Sequence, residues 1–144
     1  GAKGNEGVAG NVSQTKASIG YVEYAYAKQN KLTYGAMINK AGKTVQPTIG
    51  AFQAAAANAD WAGAKNYFVI LTDQPGDASW PITGATFILM HKDPTDKAAS
   101  KEAIKFFKWA FEKGDKMAEE LDYIPMPEPV VKLIEKTWSA DIKS

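Results

Sequence analysis

Glycine at positions 1, 4 and 7, with Lys3, Asn5 and Glu6 between them, forms a turn that runs directly into a helix and is the segment of this chain best suited to hold an anion. Glycine lets the backbone bend tightly, Asn5 is expected to cap the helix, and the unpaired N–H groups of a first helical turn point outward as donors. A turn of this kind ordinarily follows a β-strand, so the sequence is expected to open in the middle of a fold. The run lacks the G-x-x-x-x-G-K-[ST] spacing of a nucleotide-binding loop. A plain turn with a helix cap therefore competes evenly with direct anion contact.

Other residues offer less. His91 is the single histidine, beside Lys92 at the end of an apolar run, with no nucleophile in register. It reads as a surface or hinge residue rather than a general base. No G-x-S-x-G elbow occurs. Glu119 and Glu120 fit a solvated helix face, and Glu6 with Glu23 is too sparse a pair to ligate a metal. With no cysteine, thiolate metal sites, iron–sulfur clusters, disulfides and cysteine nucleophiles are excluded. Neither a metal nor a cofactor is expected, and an enzyme is not the favoured class. Tyr21, Tyr24 and Tyr26 could line a cleft, with at least one of them packed in a core. Phe106, Phe107, Trp109 and Phe111 read as core or lobe-interface material.

All 17 basic residues are lysine, and the net charge is +1. A near-neutral balance argues against nucleic acid or an anionic membrane as the main partner. Arginine is the usual bidentate fork for a buried phosphate or carboxylate. An oxyanion held tightly here must take its strongest charged donor from outside these 144 residues.

The elements that would position these groups follow from pattern. Val8 and Val12 mark a helix ending near Lys16. Residues 18–22 read as a short buried strand, 23–30 as a helical turn, and 34–39 as a strand leading into a turn at Ala41-Gly42-Lys43. Thr48 opens a helix through the alanine run 54–57, with Asp60-Trp61 at its end. Residues 67–71 are apolar and partly β-branched, and 73–77 form a loop. Residues 80–91 are the longest strand signal. Asp93 to Asp96 cap a helix over 97–113, whose Ala103, Ile104, Phe107, Ala110 and Phe111 form one apolar stripe, with Gly114 as its stop. Short helices are expected over 117–121 and 129–142. Strands early and helices late indicate α/β or α+β.

Four segments together carry a family resemblance: Gly1 to Val8, Ser18 to Asn30, Trp80 to Lys92, and Leu121 to Pro127 with the helix after it. In order and spacing the chain resembles the C-terminal part of PstS-type periplasmic phosphate-binding proteins, the receptors of bacterial phosphate ABC transporters. The resemblance implies an α/β, type II periplasmic-binding-protein-like fold of two lobes closing on one dehydrated phosphate. It implies that residues 1–81 form the second half of the middle lobe and that 82–144 return into the first. The family's direct ligands lie in an N-terminal half, including an arginine followed by Ser-Gly-Thr, and none of those motifs occurs here. Gly4, Asn5 and Glu6 are then expected beside the phosphate cleft rather than on the phosphate. Implied partners are inorganic phosphate, the transporter's membrane subunits and the N-terminal half of the same protein, in the periplasm. A receptor for another oxyanion or small solute, and a phosphate-ester hydrolase, are the alternatives.

Overall fold

The computed structural model describes residues 1–144 and is built mainly of helices. In chain order these are α1 (Gly4–Gln14), α2 (Tyr24–Gln29), the hairpin strands β1 (Met37–Ile38) and β2 (Thr44–Val45), α3 (Ile49–Ala57), α4 (Lys97–Lys113), α5 (Asp115–Glu120) and α6 (Glu128–Asp141). The strands pair antiparallel, Met37 with Val45 and Ile38 with Thr44.

Where a helix carries its own start and stop signals, it forms at the expected place. The Thr48 hydroxyl accepts from Ala51 N–H at the head of α3, and the Asp96 carboxylate accepts from Ala99 N–H at the head of α4. Gly114 ends α4 and begins α5; a Cβ there would stand 2.4 Å from the Ala110 carbonyl oxygen, so the sharp corner between the helices depends on its absence. Along α4 the expected stripe faces α6, with Phe111 stacked on Trp138 at 5.8 Å.

Two apolar clusters hold the chain together. In the larger, Val130 of α6 meets Ala56, Ala59, Trp61 and Leu71, with Leu133, Ile134 and Ala85 packed around them. The buried indole N–H of Trp61 donates to Ala56 O at 2.7 Å, and the Tyr67 hydroxyl donates to Leu133 O at 2.8 Å. The smaller cluster joins Val45, Ala51 and Trp80. Beside it, buried Asn39 fastens the hairpin to the 75–80 loop. Its side-chain amide donates to Gly76 O, Asp77 O and Ser79 O, and its carbonyl accepts from Ala41 N–H and Lys43 N–H.

The expected strands fare differently. Residues 18–22 are not a buried strand: Ile19 is 97% exposed, and the segment lies unpaired across α1. Gly20 makes that approach possible, since a Cβ there would come within 2.9 Å of both Val8 and Val12. The 34–39 strand shrinks to Met37–Ile38. The long strand over 80–91 is an extended run paired only where Ile82 bridges Thr72. The physical reason is common to all three. A strand becomes part of a sheet by exchanging backbone hydrogen bonds with a neighbour along its length; 18–22 has no such neighbour, and the other two segments meet one over only one or two residues. The sheet layer of an α/β fold is thus confined to one short hairpin.

Replacing Asn39 with alanine removes five hydrogen bonds from a buried position, and should lower stability by about 2–3 kcal/mol. Urea unfolding with an unchanged slope is the measurement; a loss below about 0.5 kcal/mol, the size of an ordinary surface substitution, would show that Asn39 does not secure the hairpin.

Candidate functional site

The glycine-rich start enters α1 as expected, but without the expected cap. Lys3 occupies the capping position, and no side chain accepts from the first-turn N–H groups. Gly4, at φ +68°, supplies the bend. Asn5 has another role: its side-chain carbonyl accepts from Glu23 N–H at 3.0 Å, tying α1 to the head of α2. The correction has a simple cause. Helix formation begins at Gly4, so Asn5 is already inside the first turn and cannot cap it.

Glu6 sits in the same first turn, where its charge complements the helix dipole. One of its oxygens accepts from the Tyr26 hydroxyl at 3.1 Å, a contact across 20 residues. A second polar link joins α2 to the turn after α5. The Tyr123 hydroxyl donates to Glu23 at 3.4 Å, and Lys28 pairs with the largely buried Asp122 carboxylate. Asp122 adopts a positive φ of 64° there. The start of α1, the face of α2 and residues 122–123 therefore form one polar patch with Gly4, Asn5 and Glu6 at its edge.

Electrostatics within the patch follow from these bonds. Donation to Glu6, and the nearness of that carboxylate, raise the Tyr26 phenol above the usual 10.0. The hydrogen bond to Asp122, reinforced by its charge, raises Lys28. Tyr24 is raised too, chiefly through its hydrogen bond with Tyr34. The three tyrosines of the expected cluster separate: Tyr24 packs against Tyr34 and Phe52, Tyr26 holds Glu6, and Tyr21 is exposed.

What this arrangement can do is present backbone N–H groups at a helix start while its carboxylates are occupied by hydroxyl and ammonium donors. Three carboxylates surround it and Lys28 is already paired, which leaves Lys3 at the head of α1 as a cation without a carboxylate partner. Nothing here supplies a nucleophile. His91 is exposed and stands apart from the patch, and no three acidic or histidine side chains converge on a metal-sized centre. Glu119 and Glu120 lie exposed on α5. A hollow of about 550 Å³, wide open, lies elsewhere, between α4 and α6. It is lined by Lys108, Lys132 and Lys136, of which Lys132 is held by Glu128 at 2.6 Å. No sequence signal pointed to the Tyr26–Glu6 and Tyr123–Glu23 links, because each joins residues far apart in the chain.

Comparison with known proteins shows which family the chain belongs to. The family model for bacterial extracellular solute-binding proteins matches residues 1–117. The chain belongs to that family. Membership assigns it a periplasmic-binding-protein-like fold, of which the helices and small sheet described above are a portion. Similar proteins include the phosphate-binding protein PstS of Pasteurella multocida, 54% identical over 144 residues, all of this chain and 42% of that protein. The PstS of Xylella fastidiosa strain 9a5c is 53% identical over 143 residues, 99% of this chain and 39% of that protein. The PstS of Haemophilus influenzae is 50% identical over 143 residues, with 99% and 43% covered. The solute-binding chain thus spans about two-fifths of the length of the curated relatives it matches.

Because the folded state holds the Tyr26 proton more tightly, the contribution of this contact is complete below pH 10 and fades as pH rises through the raised value. Absorbance titration should therefore show a late-ionising phenol in addition to the raised Tyr24. Tyr26→Phe removes it and Glu6→Gln returns it towards 10.0. A titration unchanged by Glu6→Gln would show that the carboxylate does not hold this phenol.

Proposed function

We propose that this chain is part of a periplasmic phosphate receptor that delivers phosphate to an ABC importer. The observation that carries the reading is 54% identity along all 144 residues with a phosphate-binding protein. On this reading the whole receptor has the two-lobed type II plan. Residues 1–81 belong to its middle lobe and 82–144 return to the first lobe. Gly4, Asn5 and Glu6 line the approach to phosphate, and contribute helix-start N–H groups rather than charge.

The charge inventory supports that division of labour. A dehydrated phosphate dianion needs a strong fixed cation and many donors to replace its water. The chain has only lysines, and Lys28 beside the patch is committed to Asp122. Its carboxylates would repel the anion if they stood closer to it. The direct ligands, arginine above all, therefore belong to the rest of the receptor. Affinity comes from two preorganised lobes closing around the ligand, and no bond is made or broken.

Titration calorimetry tests this on two samples. The 144-residue chain alone should bind phosphate weakly or not at all, and the whole receptor tightly, without competition from sulfate. Micromolar binding by the chain alone would mean that its own residues are direct ligands. Displacement by sulfate, or no binding by the whole receptor, would overturn the phosphate assignment.

A further inference from the structure

The hollow between α4 and α6 has basic walls and an apolar floor. Lys108 stands on the α4 side, Lys132 and Lys136 on the α6 side, and Ile104 and Trp138 lie between them. Glu135 is the one carboxylate in the lining. On α4, Lys101, Lys105 and Lys108 recur at i, i+4 and i+7, so the basic wall runs along that helix as a stripe. Lys132 and Lys136 repeat the i, i+4 spacing on α6. Lysine is almost never fully buried, so this face meets water in the whole protein as it does in the chain alone.

These lysines are held loosely. No ion pair joins α4 to α6. Lys105 pairs with Glu102, Lys108 with Glu112 and Lys132 with Glu128, each along its own helix. Both partners of every such pair are more than half exposed, so each pair contributes little. Lys101 and Lys136 have no carboxylate within salt-bridge distance. Their ammonium groups can therefore turn to an incoming carboxylate at small cost. The floor beneath them rewards a partner that also buries hydrocarbon.

We propose that the α4–α6 groove docks an acidic amphipathic helix of a partner protein. Its carboxylates meet Lys108, Lys132 and Lys136, and its apolar side chains seat on Ile104 and Trp138. The proposal stands on this surface and not on the phosphate reading. Dimensions favour a helix. The walls, from Lys101 to Lys108 and from Lys132 to Ile142, run about 10 and 15 Å. That is about two to three helical turns, the reach of anchors at i, i+3 or i+4, and i+7. Other occupants fit less well. A lipid surface would have to accept Glu102, Glu112 and Glu128 beside the lysines, whereas binding of that kind needs a clustered basic excess. A second copy offers α5 as its acidic helix, and those six residues include Lys116.

The probe is a helical peptide of about 14 residues with glutamates on one face and two leucines on the other. Calorimetry with the chain should give a Kd on the order of 10–100 µM at ~20 mM salt, weakening about 3–10-fold at ~150 mM. The same peptide with lysine in place of glutamate should not bind, and with alanine in place of leucine it should bind about 10-fold more weakly. Lys132→Glu with Lys136→Glu should cost at least about 10-fold in affinity. The milder Lys132→Gln with Lys136→Gln, which spares α6 any added repulsion, should cost about 3-fold or more. Lys16→Glu with Lys40→Glu makes the same change in net charge away from the groove and should leave binding unchanged. Equal binding of the acidic and basic peptides, or an affinity indifferent to the groove lysines or to the leucines, overturns the proposal. So does tighter binding to vesicles of about 30% phosphatidylserine. A concentration-dependent dimer in sedimentation that the groove substitutions abolish overturns it as well, in favour of a second copy.

Discussion

Val130, seated against Trp61 and Leu71, is the joint on which the rest of this structure depends. Around it Leu133 and Ile134 add partly buried packing. The ion pairs at the chain's end, Lys92 with Asp141 and Lys143 with Asp93, are solvated and worth little. The joint is backed by two buried hydrogen bonds, from Trp61 to Ala56 and from Tyr67 to Leu133. It is narrow, and the largest side chains around it are shared between segments far apart in sequence. A chain held in this way has rigid helices on a small hub, with apolar segments radiating outwards.

That arrangement explains what was legible in the residues and what was not. Helix α4 carries its instructions locally, in Asp96, Gly114 and a stripe of period 3.6, so both its bounds could be read directly; Thr48 likewise marks the start of α3, whose end falls at Ala57, short of the expected Asp60-Trp61. The apolar run from Trp80 to His91 was equally visible as strand-like, yet the chain leaves it nearly unpaired. A strand's structure resides in its neighbours, and periodicity cannot say whether those neighbours are present. Asn5 shows a subtler limit. Its residue type is right for a cap, but the helix starts at Gly4, two residues earlier than a cap at Asn5 requires, and its carbonyl turns to Glu23 instead. Positions of helix ends are the least local part of a helical signal.

The candidate patch was legible at its α1 edge and not in the contacts that complete it. Glycines before α1 announced a helix start with free donors. Nothing in the spacing announced that Tyr26 and Tyr123 would bring carboxylates to its flank. Those carboxylates change its meaning. A helix start surrounded by acidic groups suits a supporting wall, which orders the backbone near a ligand while the attracting charge comes from another side. The uniform use of lysine fits the same role, since lysine on a surface solubilises and pairs loosely, whereas a fixed bidentate grip requires arginine.

The Trp61–Leu71–Val130 joint also sets a clock. About 60 residues separate its two sides in sequence. At about 5–20 residues per second of synthesis, Leu71 waits roughly 3–12 s for Val130 to be made. During that interval the hub cannot close, however favourable its packing, and the indole of Trp61 stays available to whatever else the nascent chain meets. Until α6 is made, the hub therefore lacks the side chain that closes it.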